Sequence, residues 1–280
     1  MLRVTSLYVY PVKSCRGIAV DSTAVDARGF VGDRRFLVID AQDRFLTQRG
    51  HPRMALIDVA LTAEFLTLAS AGHSSVTVQL SGIRSPHSAI GTPLPGISIW
   101  NDTVTAEDCG EGPAQWLSDF LGLPCRLVRT GSAYSRLVPA RKIPESLGDL
   151  ASSQHEVSFA DAFPFLVISE ESLADLNARL QIPLPMNRFR PNLVVAGGAP
   201  YAEDDWSRFR IGDVVFHGAT RCGRCVMTTT NQSTAERAQE PLRTLATYRR
   251  DEEGTVMFGR NLVHETKRGQ VQVGDVVEIL

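Results

Sequence analysis

Cys222 and Cys225 lie three residues apart and form the most chemically informative pair in this 280-residue sequence. A C-x-x-C spacing suits three chemistries: a structural zinc site, a thiol–disulfide pair, or a single thiolate that binds a soft metal. A zinc site needs two further ligands, but the sequence has no second such pair, and His217 and His264 are isolated. Arg221 and Arg224, which flank the two cysteines, favour the thiolate form over the thiol. Zinc is therefore the least favoured of the three.

The residues that follow Cys225 separate the other two chemistries. A thioredoxin-type pair places its first cysteine at the beginning of a helix. Here the sequence continues Val-Met-Thr-Thr-Thr, which predicts a strand rather than a helix. A soft-metal thiolate and a pair of inert buried cysteines remain as alternatives at this point.

Three further segments place cations or hydroxyl groups beside predicted turns. They are Tyr10-Pro-Val-Lys-Ser-Cys-Arg-Gly17, Gly32-Asp-Arg-Arg-Phe36 and Asn187-Arg-Phe-Arg-Pro-Asn-Leu193. In the last of these, Arg190 and Asn192 are two residues apart in a predicted extended segment and so share a face. An arginine fork beside a turn can bind a phosphate or a polar heterocycle, although each such residue alone is more often a surface ion-pair partner.

Short apolar runs bounded by Gly, Pro, Asp or Asn must position these residues. Such runs predict strands, and their frequent turns favour antiparallel barrels or sandwiches. The predicted fold is mainly β with a few helices (α+β), in two modules covering residues 1–120 and 121–280. Helices are predicted after Ser169, over Gln115–Leu121, and from Glu240. Residues 81–95 are predicted to form a loop, and residues 132–154 form either a lid or an ordinary surface loop.

Composition excludes several classes of protein. Hydrophobic residues make up 43% and charged residues 21%, values that suit a folded chain rather than a disordered one. The net charge of -2 offers no general attraction to nucleic acid or to an anionic membrane. No apolar run approaches the ~20 residues of a membrane helix, and five cysteines are a poor basis for a disulfide scaffold. We predict a cytoplasmic protein that binds neither nucleic acid nor membrane.

The motifs, taken in order, resemble the MOSC-domain family of molybdenum-cofactor proteins. They are Tyr-Pro-Val-Lys-Ser, Gly-Asp-Arg, Phe-Arg-Pro-Asn-Leu-Val, Ile-Gly-Asp-Val, Arg-Cys-Val-Met-Thr-Thr and a terminal Val-Gly-Asp-Val-Val. Within the family, the chain is similar over essentially its whole length to the branch of mitochondrial amidoxime-reducing components and bacterial YcbX-type proteins. The resemblance implies an N-terminal β-barrel-like module followed by a MOSC β-barrel.

The resemblance also implies a cofactor and the residues that hold it. A molybdenum ion would be bound by the dithiolene of one molybdopterin and by one cysteine, which matches Cys225 and not Cys222. The implied pterin and phosphate contacts are Lys13, Ser14, Arg34, Arg190, Asn192, Arg224 and, at a position where relatives vary, Asn261. Asp161 matches an acid near the site, which either holds or delivers a proton or caps the turn before the next strand.

Three positions depart from the family pattern. Ala162 and Phe163 stand where the eukaryotic branch has hydroxyl residues, and Gly223 replaces a serine beside the ligand cysteine. The chain also lacks the cluster cysteines of the ferredoxin-like domain that bacterial relatives often carry. Electrons are therefore expected from a separate protein, either a flavin reductase or a ferredoxin-like carrier.

The activity that the resemblance implies is the reduction of N-hydroxylated compounds, namely amidoximes, hydroxylamines and N-hydroxylated nucleobases. The cofactor would supply the redox chemistry, and the protein would supply its ligand and positioning groups. The rival interpretation is a protein that carries sulfur or handles molybdenum cofactor for delivery, because MOSC domains also occur beside sulfurtransferases.

Overall fold

β-Strands dominate the part of the chain that the computed structural model describes, which is residues 1–80, 91–144, 147 and 155–280. The first ten strands are β1 (Arg3–Val9), β2 (Ile18–Val20), β3 (Ser22–Asp26), β4 (Gly29–Phe30), β5 (Phe36–Asp40), β6 (Asp58–Leu61), β7 (Phe65–Ser70), β8 (His73–Gln79), β9 (Pro93–Ile99) and β10 (Asp102–Asp108). The remaining strands are β11 (Cys125–Arg129), β12 (Phe165–Ser169), β13 (Leu193–Ala196), β14 (Arg208–Ile211), β15 (Val214–Gly223), β16 (Met257–His264), β17 (Gly269–Gln272) and β18 (Val277–Ile279). The described helices are α1 (Glu111–Leu121), α2 (Glu170–Ala178) and α3 (Leu242–Leu245). The prediction of a mainly β fold is confirmed.

The largest sheet has eight strands in the order β18-β14-β15-β16-β12-β13-β1-β2. Among the described strands, neighbours in this sheet pair antiparallel except for β12 and β13, which are parallel. Bulges interrupt the pairing of β15 with β16 and of β1 with β13, which bends the sheet. Phe165, Phe216 and Leu262 are fully or almost fully buried on its inner side, and this apolar layer holds the sheet together.

A second core lies in the N-terminal part of the chain. The sheets β5-β11-β10-β9 and β6-β7-β8 enclose Met54, Leu66 and Leu127 together with helix α1. Leu117 and Phe120 of α1 are buried against this core, as a three- to four-residue spacing requires. The helix begins four residues before the predicted Gln115 and ends at the predicted Leu121.

Strands from both sides of the predicted module boundary near residue 120 combine in the same sheets. Strands β1 and β2 lie in the eight-stranded sheet with β12–β16, whereas β11 pairs with β5. Loops between β1 and β5 therefore lie beside loops of the C-terminal half. The division at residues 120 and 121 stays a prediction from sequence.

Some predictions of single helices and loops are confirmed, and others are wrong. Helix α2 begins as predicted, because the Ser169 hydroxyl accepts the Ser172 backbone N–H at 3.1 Å. Helix α3 has only four residues. The loop prediction for residues 81–95 is wrong at Pro93–Pro95, which belong to β9. Residues 81–90 of that predicted loop lie outside the described residues, and so do residues 145–146 and 148–154 of the predicted lid or surface loop. Among the described residues, no helix is long and apolar enough to cross a membrane.

Candidate active site

Loops from both halves of the chain meet at a cavity of about 170 Å³. All nine residues predicted from the sequence line it: Lys13, Ser14, Arg34, Asp161, Arg190, Asn192, Arg224, Cys225 and Asn261. The structure thus brings together segments that are up to about 250 residues apart. Their functional roles remain predictions.

Three of these residues have backbones in the left-handed region. The φ angles are 68° at Ser14, 48° at Arg34 and 56° at Arg190. Residues other than glycine rarely adopt such angles, and each typically costs of order 1 kcal/mol or more. Strained conformations of this kind persist where the surrounding structure determines them and concentrate at functional sites.

Arg34 and Asn192 line the cavity and are hydrogen-bonded to each other. Arg34 Nη1 donates to Asp33 Oδ2 at 2.6 Å and to Asn192 Oδ1 at 2.9 Å. Asn192 Nδ2 in turn donates to the Tyr8 carbonyl at 3.2 Å, and the Arg34 guanidinium lies 4.5 Å from the centre of the Tyr10 ring. Burial opposes the charge of Arg34, but the Asp33 carboxylate outweighs it and raises the pKa of the guanidinium.

Arg190 is held differently. It stacks on the same Tyr10 ring at 4.3 Å and donates to the Cys15 carbonyl at 2.8 Å, and no ion pair with a carboxylate is found for it among the described residues. Burial lowers the pKa of Arg190 to about 10. Its left-handed backbone also shows that the prediction of an extended segment is wrong there, although Arg190 and Asn192 both line the cavity.

The two neighbouring cysteines occupy different surroundings in the cavity. Arg224 Nη1 lies 3.0 Å from Cys222 Sγ, and its Nη2 donates to the Phe189 carbonyl at 2.6 Å. Cys225 is a free, partly buried thiol. It lies close to Arg49: burial lowers the pKa of the Arg49 guanidinium, but Asp161 and Cys225 together outweigh burial and raise that pKa. Among the described residues, no group of three or more His, Cys, Asp or Glu side chains could hold a metal ion.

The strand predicted after Cys225 is wrong. Val226–Thr229 form a 3-10 turn, with Cys225 in extended conformation immediately before it. The hydroxyls of Thr228 and Thr229 donate to the carbonyls three residues earlier, at 3.0 and 2.8 Å. These local bonds compete with a sheet ladder, and β15 has already ended at Gly223. Cys225, immediately before this turn, lines the cavity.

Asp161 is part of a charged cluster with Lys13 and Arg49. Lys13 Nζ donates to an Asp161 oxygen and to the Phe159 carbonyl, the latter at 2.8 Å, and Arg49 Nη2 donates to Asp161 Oδ2 at 2.8 Å. Partial burial alone would raise the pKa of Asp161, but the two cations outweigh it and hold that pKa well below its usual range. Burial lowers the pKa of Lys13 to about 8. At neutral pH the available proton in this pair is therefore on Lys13 Nζ.

The positions that depart from the family pattern also line the cavity. Ala162 and Phe163 present apolar groups. A side chain at Gly223 would place its Cβ about 3.0 Å from Thr255 Cγ2, a tight contact. Asn261 Nδ2 donates to Thr220 Oγ1 at 3.2 Å, which fixes its amide within the sheet.

Sequence reasoning missed two arginines that line the cavity, Arg49 and Arg188. Arg188 is buried, donates to the Thr228 carbonyl at 3.3 Å, and has its pKa lowered by that burial. It lies within the Asn-Arg-Phe-Arg motif that pointed to Arg190, so the motif itself contained the signal. Arg49 lies in a loop with no comparable pattern.

The cavity as a whole suits an anionic, polar group. Six cationic side chains line it against one carboxylate. Three of its buried polar atoms have no hydrogen-bond partner among the residues that the structure describes: Ser14 Oγ, Arg49 Nη1 and Arg224 Nε. Because buried donors are normally satisfied, these atoms fit the phosphate and heterocycle of a molybdopterin, with the Cys225 thiol available to a metal.

Comparison with known proteins agrees with the fold. The MOSC N-terminal beta barrel domain matches residues 1–124 and the MOSC domain matches residues 154–278. Human mitochondrial amidoxime-reducing component 1 is 34% identical over 99% of this chain and 82% of its own length. The molybdenum cofactor sulfurase of Danio rerio is 33% identical over 95% of this chain, but the chain spans only 32% of that protein.

Among solved structures, the YUAD protein from Bacillus subtilis aligns over 99% of this chain and 95% of its own, at 11% identity and a TM-score of 0.44. Two domain matches cover most of the chain, and the relationship to the amidoxime-reducing components extends along nearly all of it. The chain therefore belongs to the MOSC family and is homologous over nearly its full length to the mitochondrial amidoxime-reducing components.

Proposed function

We propose that this protein is a molybdenum-cofactor oxidoreductase that reduces N-hydroxylated compounds: amidoximes, hydroxylamines and N-hydroxylated nucleobases. The observation that carries the proposal is the free Cys225 thiol in a cavity lined by six cations, where three buried polar atoms lack a partner within the described part of the chain. The relationship to amidoxime-reducing components supports the same conclusion.

The arginines and Ser14 would hold the cofactor. Arg190 is buried and Arg224 is partly buried, and Ser14 Oγ and Arg224 Nε are buried atoms without a partner among the described residues. Arginine suits this task because its planar fork binds a phosphate or a pterin edge through two bonds. Cys225 would be the protein ligand to molybdenum. When bound, the cofactor supplies the two electrons that cleave the N–O bond.

The chain's own groups would manage the protons. Reduction of an N–OH group consumes two electrons and two protons and releases water and the N–H product. Lys13 Nζ carries a proton at neutral pH and loses it readily, because burial lowers its pKa to about 8. Asp161 would orient Lys13 as an ionised carboxylate, since its pKa lies well below its usual range. In this proposal Asp161 positions the proton donor, Lys13, and does not itself donate a proton.

We further propose that electrons come from a separate flavin reductase, a ferredoxin-like carrier, or both, and that the protein acts in the cytoplasm on small molecules. A second function, carrying sulfur or handling molybdenum cofactor, is favoured by the match to molybdenum cofactor sulfurases. The second cavity thiol, Cys222, beside Arg224 also suits that function.

Metal and pterin analysis of protein made in a host competent for molybdenum cofactor tests the proposal. We expect molybdenum and pterin in equal amounts, and reduction of benzamidoxime by the loaded protein with reduced methyl viologen as donor. Loaded protein that does not reduce benzamidoxime would favour the cofactor-handling function. Protein without molybdenum or pterin would contradict both.

A further inference from the structure

An exposed tryptophan stands beside the charged cluster of the cavity. Trp100 lies at the tip of the hairpin between β9 and β10, and 48% of it is exposed. Its indole Nε1 lies 3.4 Å from Asp161 Oδ1, a long hydrogen bond to a residue that lines the cavity. The N-terminal part of the chain therefore places a large aromatic ring next to the site.

The ring is held by two neighbours. Phe45 contacts it edge to face, with ring centres 5.0 Å apart, and the Arg49 guanidinium lies 4.7 Å from the indole centre. Arg49 also donates to Asp161, as Lys13 does. Aromatic and cation contacts of this kind fix an indole without burying it.

The backbone of Trp100 is strained, with φ at 55°. A two-residue hairpin loop that needs such angles ordinarily uses Asn, Asp or Gly, and a bulky residue there is an outlier. Neither packing of a core nor the turn itself requires tryptophan at this position, since nearly half of the side chain is exposed. Strain of this kind points to a function for the side chain.

We propose that Trp100 is a substrate-binding residue, whose indole stacks on the planar, conjugated group that carries the N-hydroxyl function. This inference rests on the proposed function and adds a preference among its substrates. Aromatic amidoximes and N-hydroxylated nucleobases offer a flat π-face, on which an exposed indole stacks favourably. Saturated hydroxylamines offer none.

Two substitutions at Trp100 distinguish the effect of the aromatic ring from the effect of the turn. Trp100→Asn removes the ring but suits the left-handed backbone, so the hairpin is expected to fold. Trp100→Phe keeps a smaller ring. Phe65→Thr, which removes a partly exposed aromatic side chain on β7, is the matched control.

Each molybdenum-loaded variant would be assayed with benzamidoxime and with N-cyclohexylhydroxylamine, using reduced methyl viologen. We expect Trp100→Asn to raise KM for benzamidoxime about tenfold with kcat little changed, and to leave KM for the saturated substrate within about twofold. Trp100→Phe should lie between wild type and Trp100→Asn. Benzamidoxime should quench indole fluorescence in the wild type and not in Trp100→Asn, which retains the other two tryptophans.

Equal losses with both substrates would show that Trp100 only positions Asp161, and would overturn the proposal. So would unchanged kinetics in Trp100→Asn, while the reductase function would stand. If the loaded wild type reduces neither substrate, the proposed function fails and this inference fails with it.

Discussion

Replacing Arg190 with methionine should weaken cofactor binding while leaving the stability of the empty protein nearly unchanged. Arg190 is buried, with 8% exposure, and its side chain donates to the Cys15 carbonyl and stacks on the Tyr10 ring. Met has a similar length and meets the same left-handed strain, so the backbone energy is not altered by the change.

The magnitude follows from the pKa of the guanidinium. Burial lowers it from 12.5 to about 10, which corresponds to about 3 kcal/mol against the buried charge. Removing the charge relieves that cost but loses a stacking contact worth ~1–2 kcal/mol and a hydrogen bond from a charged donor worth ~1.5–3 kcal/mol. We therefore expect the free energy of unfolding of the apo protein to change by only about 1 kcal/mol.

Binding of the cofactor should respond much more strongly. Truncating one partner of a buried charge pair typically costs ~2–5 kcal/mol, which is at least about a 30-fold loss of affinity. The assays are urea unfolding of apo protein and molybdenum content after expression in a competent host. Arg136→Met is the matched control, because Arg136 is equally buried but donates to Asp102 Oδ2 at 2.7 Å and to three backbone carbonyls. That variant should lose ~3–5 kcal/mol of stability, since it leaves several acceptors unpaired.

An Arg190→Met protein that binds molybdenum normally but loses as much stability as Arg136→Met would refute this reasoning. Arg190 would then be a structural residue. The prediction would also fail if both variants unfolded at wild-type urea concentrations and contained wild-type amounts of metal, because Arg190 would then neither stabilise the fold nor hold the cofactor.

Three other predictions concern ligand, pH and electron donor. Cys225→Ala should abolish N–O reduction and any molybdenum–thiolate absorption, whereas Cys222→Ala should retain both; equal loss in the two variants would support a two-cysteine site. Burial lowers the pKa of Lys13 from 10.5 to about 8, so between pH 8 and 10.5 the unfolded chain binds more protons at Lys13 than the folded chain does. Wild-type apo protein should accordingly gain stability relative to Lys13→Met as pH rises from 8 to 10, by ~1.4 kcal/mol per pH unit at most, and parallel urea midpoints across that range would contradict the assignment. The loaded protein alone should not turn over with NADPH, because the sequence has no G-x-G-x-x-G motif, but it should do so with reduced methyl viologen; rapid NADPH oxidation would reveal a nicotinamide site.

Sequence patterns predicted the strands well because burial sets their period and composition. The apolar run Cys125–Arg129, which follows a proline, forms a strand, and the Ser169 cap begins a helix as expected. The error at Val226–Thr229 has a physical cause. β-Propensity measures how a side chain packs within a sheet, and there the sheet has ended and threonine hydroxyls stabilise a turn.

The site was predictable only where a motif linked distant residues. Lys13, Arg190 and Cys225 were placed together by resemblance, since no local rule joins positions so far apart in sequence. Arg49 lay outside any motif. The position of Trp100 depends on a left-handed hairpin residue and a contact with Asp161, neither of which composition or periodicity encodes.

The pairing of β1 with β13 sets the order of events during synthesis. Arg3 lies opposite Ala196, so β1 must wait for the middle of the C-terminal half. At ~5–20 residues per second the ribosome needs roughly 10–40 s to produce that partner. During this interval β1 can pair only with the short strand β2, and its apolar side chains, such as Val4 and Leu7, lack the rest of the sheet. Chaperone capture of the nascent chain would protect this strand until its partner emerges, and the cavity lined by Lys13 and Ser14 can close only afterwards.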